Sequence, residues 1–96
     1  MNKLTTMSVI TLTLLSVQSF ANGGLLYEAL GCIGCHGPDG KSTLTAYPSL
    51  AGKPAAYIVK QLKDFQSGAR KNATMNAIAP MVAGKEQAIA DYLAAE

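Results

Sequence analysis

The chain has 96 residues, which is room for one domain at most. Its formal net charge of +2 is too small for a nucleic-acid binder to rely on. With hydrophobic residues at 49%, it is not the polar, charged composition of a disordered chain either.

In chain order, Met1 to Lys3 is short and basic, Leu4 to Val17 is mostly apolar, and Ser19-Phe20-Ala21 places small residues where a signal peptidase reads. Residues 1–21 are therefore expected to be a secretory signal peptide, cleaved after Ala21. A membrane anchor is the alternative, but the apolar run of about 14 residues falls short of the roughly 20 that a span needs, and no stable membrane insertion is expected after cleavage. The remainder, 22–96, is expected to be a single domain with a net charge of +1 once Lys3 is removed. At 75 residues its hydrophobic core is thin, and chains of that size usually need a disulfide, a metal or a cofactor.

No β-branched alternation suggests a strand, so the fold class is all-α, with three to four short helices. The first is predicted over Gly24 to Leu30, with Leu26, Ala29 and Leu30 on one face. A glycine- and proline-rich segment follows from Gly31 to Lys53, and so long a loop in so small a domain suggests that it wraps a large ligand. Pro54 to Ser67 is the clearest helix. Pro54 suits its first position and Gly68 its stop, and Ala55, Ile58, Val59, Leu62 and Phe65 make one apolar stripe. Thr74 to Ala79 reads as a weak turn limited by Pro80. Glu86 to Ala95 reads as the last helix, begun by Gly84, with Ile89, Tyr92 and Leu93 inward and Glu86 suited to the helix dipole.

The chemistry is concentrated in Cys32-Ile33-Gly34-Cys35-His36, the C-x-x-C-H attachment pattern of c-type haem. Two thiols three positions apart can reach the two vinyl groups of one porphyrin and add across them as thioethers. The histidine that follows is then placed to ligate the iron through Nε2. A redox disulfide is the alternative, but it wants a βαβ setting that this chain lacks. A zinc site wants four ligands, and the chain has two cysteines and one histidine.

These residues, together with Tyr47-Pro48-Ser49-Leu50-Ala51-Gly52, Tyr57, Gln61-Leu62, Phe65, Gly68, Arg70, Met75 and Ile89-Ala90-Asp91-Tyr92-Leu93, resemble the class I cytochromes c, in particular one haem domain of the bacterial periplasmic di-haem cytochromes of the c-four type. The resemblance implies the small cytochrome c fold around one covalent haem c. It implies His36 as one axial ligand and a methionine as the other. Met75 is expected in that role because it leaves room for a loop, with Met81 as core filler. It further implies that the Pro48 carbonyl accepts from His36 Nδ1, that Leu50 packs on the porphyrin edge, and that Gly23 and Tyr27 mark where the first helix crosses the last. Arg70 reaches a haem propionate or is a solvated surface arginine.

Burial of the haem by Ile58, Val59, Leu62, Phe65 and Leu93 and ligation by methionine would both raise the potential. The expected function is single-electron transfer in the periplasm and not enzymatic catalysis. Expected partners are an oxidase, a reductase or a flavoprotein, and a homodimer is also open. Lys53, Lys60, Lys63, Arg70 and Lys71, opposed by Asp64 alone, either bias docking to an acidic partner or form a plain solvated face. The rivals are a haem subunit of an enzyme, and a gas sensor or peroxidase whose iron sheds its methionine.

Overall fold

A computed structural model describes residues 14–96, with side chains described from Asn22 onward; most of the expected signal peptide therefore lies outside the described residues. Among the described residues the chain is all-helical. Five α-helices follow one another as α1 (Leu14–Ala29), α2 (Cys32–His36), α3 (Ala55–Ser67), α4 (Ala73–Ile78) and α5 (Glu86–Ala94). Two short 3-10 turns, Pro38–Gly40 and Ala79–Val82, join them.

Helix α1 starts ten residues before the expected Gly24, because Gly23 and Gly24 do not break it. They are where α5 packs. A Cβ at Gly23 would run into the Ala88 carbonyl oxygen and stand 2.9 Å from Tyr92 Cβ, and one at Gly24 would meet the Tyr92 ring at 3.2 Å. One turn on, Tyr27 is fully buried, with its ring centroid 5.6 Å from that of Tyr92. The glycine–aromatic pair thus marks the crossing of α1 and α5, as the resemblance implied. Of the expected inner face, Leu26 and Leu30 pack on the core, whereas Ala29 is exposed.

Helix α2 was read as loop. Gly31 and Gly37, both at φ 84, isolate a five-residue helix between two backbone reversals that L side chains resist. Helix α3 begins at Ala55, with Pro54 just outside it, its carbonyl accepting from the Tyr57 and Ile58 amides. Its expected stripe is buried or half-buried throughout. Helix α4 ends at Ile78, two residues ahead of Pro80, as expected. Pro80 lies within the 3-10 turn Ala79–Val82, near a start where no amide donor is missed. Helix α5 is preceded by Lys85 and not begun by Gly84, and it stops at Ala94.

The core is Tyr27, Ile58, Val82, Ile89, Ala90 and Leu93. It joins α1, α3 and α5 through their apolar faces and leaves the long segment 37–53 to be held by backbone bonds. The Gly40 carbonyl accepts from Leu50 and Ala51, and the Gly52 amide donates to Leu93 at 2.9 Å. Met81, expected as core filler, is instead 56% exposed: the 3-10 turn places Val82 inward and turns Met81 out.

Candidate functional site

The site grows from α2. The short helix sets Cys32 and Cys35 one turn apart on half-buried positions, and their thiols are not joined to one another. Burial pushes the Cys32 thiol above its ordinary range. His36 closes α2 and is 8% exposed. Its Nδ1 lies 2.8 Å from the Pro48 carbonyl oxygen, which makes Nδ1–H the donor and leaves Nε2 as the lone-pair nitrogen. The following carbonyl, Gly37, accepts from the Tyr27 hydroxyl at 2.7 Å, so the end of the motif is tied directly to α1. The phenol of Tyr27 is pushed up to about 12, mainly by burial, and it stays a donor.

Beside α2 lies a cleft of about 300 Å³. Cys32, Cys35 and His36 form one wall. Leu50, Ile58, Leu62, Phe65 and Ile78 give it an apolar lining, and Met75 reaches it from α4. Its polar rim carries Lys53, Arg70 and Lys71, with Tyr47 and Tyr57 exposed beside them. The Arg70 guanidinium bonds Gln61 Oε1 and lies 4.8 Å from the Phe65 ring centroid.

Every residue expected at the site (Cys32, Cys35, His36, Pro48, Leu50, Ile58, Leu62, Arg70 and Met75) lies on this one cleft. Val59 and Leu93, expected against the haem, are not on it. Both pack in the core behind. The basic cluster also divides: Lys60 is paired with Asp64 at 2.6 Å, and neither Lys60 nor Lys63 reaches the cleft.

Sequence reasoning missed Asn72 and Asn76, which fix the backbone around Met75 through four side-chain bonds. An Asn ahead of a helical turn is a capping signal that could have found the first. It also missed Gln66, whose amide donates to the Ala79 carbonyl at 3.0 Å and to Glu86 at 2.8 Å. No short-range signal links those three.

The donor set fits haem c. Two unjoined thiols, an imidazole whose Nδ1 is already committed, and a thioether line one apolar cleft rimmed by cations. Among the described residues no three His, Cys, Asp or Glu side chains gather as a metal site of another kind.

The comparisons agree. Residues 20–94 match the family model for cytochrome c. The chain is 43% identical over 70 residues to cytochrome c4 of Azotobacter vinelandii, covering 71% of this chain and 33% of that protein. It is 46% identical over 67 residues to the thiosulfate dehydrogenase electron acceptor of Thiomonas intermedia, covering 68% and 31%. The solved cytochrome c4 of Acidithiobacillus ferrooxidans superposes with a TM-score of 0.74 at 30% identity, over 81% of this chain and 49% of that one. The chain spans about a third of the length of these two curated relatives. A helical fold built around a C-x-x-C-H cleft, matched over most of its length, makes this chain a member of the cytochrome c family, with haem c held covalently through Cys32 and Cys35.

Proposed function

We propose that this chain is a one-electron carrier of the periplasm, with His36 and Met75 as the axial ligands of its haem and no catalytic step of its own. The observation that carries the reading is the convergence of a fixed imidazole and a thioether, from α2 and α4, on the cleft that holds the two attachment thiols.

When bound, haem c supplies an iron that gains or loses one electron. The protein's own residues set the terms. The bond from His36 Nδ1–H to the Pro48 carbonyl fixes the ring and raises the basicity of Nε2. A methionine ligand together with apolar walls at Leu50, Ile58, Leu62 and Phe65 favours the less charged, reduced state, and so a positive potential. With His36 and Met75 both holding the iron, no place would be left on it for oxygen or peroxide. The exported location rests on residues 1–21 read as a signal peptide and on the attachment of haem c outside the cytoplasm.

The relative from Thiomonas intermedia is named as the electron acceptor of a thiosulfate dehydrogenase. We carry over the class of partner: a dehydrogenase that delivers single electrons. Lys53, Arg70 and Lys71 at the cleft mouth suit an acidic docking face on such an enzyme.

The test is the absorption spectrum of the oxidised and reduced protein, made in a host that attaches haem. A weak far-red band of methionine bound to ferric haem is expected, and Met75→Ala should abolish it. A high-spin spectrum, with immediate carbon monoxide binding by the reduced protein, would overturn the carrier reading in favour of an open iron.

A further inference from the structure

Met75 sits on a six-residue helix with no fully buried residue, and hydrogen bonds help to fix its place. The Asn72 side-chain oxygen accepts from the Met75 amide at 2.9 Å, and the Asn72 amide donates to the Asn76 side-chain oxygen at 2.8 Å. The same Asn76 side chain donates from Nδ2 to two carbonyls beyond its own helix, Phe65 and Arg70, both at 2.9 Å. Phe65 lines the floor of the cleft from α3 and Arg70 stands at its rim. Downstream, Gln66 bonds the Ala79 carbonyl. The helix that carries Met75 is therefore bound at Asn76 and just past its end at Ala79 to one stretch, residues 65–70.

We propose that Asn76 is the positioning residue for Met75. Its two donations hold α4 against the end of α3, its oxygen secures the Asn72 amide ahead of the helix, and it so sets how often the thioether leaves the iron. The inference rests on Met75 being an axial ligand. A cap alone would need only the Asn72 oxygen; the two donations to Phe65 and Arg70 lie outside the helix and serve its placement. Each is a bond whose loss leaves a carbonyl without its partner.

The experiment uses the haem-loaded protein and measures how fast added imidazole is captured by the ferric form, a rate set by release of the methionine. Asn76→Ala is expected to raise it roughly tenfold or more, since losing such bonds is worth about one power of ten or above. Asn76→Ser, which keeps a hydroxyl for one bond, should fall between. Tyr92→Phe serves as a stability control. It loses the bond from its hydroxyl to Asp39 at 2.6 Å and lies off the cleft, so it should lower the melting temperature without changing capture.

Parent-like capture in both Asn76 variants, with the far-red band lost in Met75→Ala, would overturn the positioning role and leave the ligand reading standing. Equal acceleration in Tyr92→Phe would also overturn it, because the effect would then be global loosening. A far-red band that survives Met75→Ala would strike down the ligand reading itself.

Discussion

Glu86 is a carboxylate at 8% exposure in the first turn of α5, satisfied on both oxygens: Gln66 Nε2 donates to one at 2.8 Å and the Gly84 amide to the other at 3.0 Å. The Gln66 bond holds its carboxyl below the usual range of about 4.3, outweighing the upward push of burial. A carboxyl whose pKa is lower in the folded state stabilises the fold at pH values above its unfolded pKa. That contribution is lost as pH falls through the folded value. Melting the parent and Glu86→Gln side by side should therefore show a parent advantage at neutral pH that shrinks as pH drops below the carboxylate range. An advantage that grows toward acid would contradict the assignment. Residues were legible in the sequence where covalent chemistry dictates spacing, as at Cys32, Cys35 and His36. Glu86 was legible as the acid in the first turn of α5, but its partner was not: Gln66, Asn76 and Glu86 have partners 20, 11 and 20 positions away, and no local pattern encodes an amide that bridges such gaps.

Among the elements, the crossing of α1 and α5 makes the sharpest claim. Alanine is the better helix former, so Gly23→Ala would ordinarily stabilise a helix by roughly 0.5–1 kcal/mol. Here the added methyl meets the backbone oxygen of Ala88, which cannot rotate aside. Gly23→Ala is expected to destabilise by about 1–3 kcal/mol, seen as a lower melting temperature; an unchanged or raised value would mean that the helices slide apart at no cost. The apolar spacing of α3 announced that helix to within one residue. The start of α1, and α2 as a whole, were hidden by glycine, which reads as a breaker in the sequence. In the fold it serves as a contact surface at Gly23 and as a frame around the haem motif at Gly31 and Gly37. Pro80 was legible as the limit of α4; the 3-10 turn that follows was not, because proline also suits the first positions of a tighter turn.

At the scale of the whole molecule, the core cluster of six buried side chains among the described residues is small, and the cleft beside it is apolar. Haem supplies the filling that the chain lacks. The double variant Cys32→Ala, Cys35→Ala is expected to be largely unfolded, and a parent-like helical circular-dichroism spectrum without haem would refute that. The cations at the cleft mouth predict a second global property. Electron exchange with an acidic partner should slow as salt shortens the screening length from about 30 Å to about 8 Å, whereas Lys60, already paired with Asp64, should matter less than Lys53 or Lys71. Equal losses from all three lysines would return the rim to a plain solvated face. The all-helical class and the cleft itself could be read in advance, because motif, chain length and helical periodicity each point to them. How the wall around His36 is closed could not. Gly52 bonds Leu93, Tyr92 bonds Asp39 and Gly40 lies against Leu93, so the segment that carries Pro48 is fastened by α5. Until α5 docks, the haem motif stands on a strip of chain open on one side, and the two cysteines remain within reach of the porphyrin they are to join.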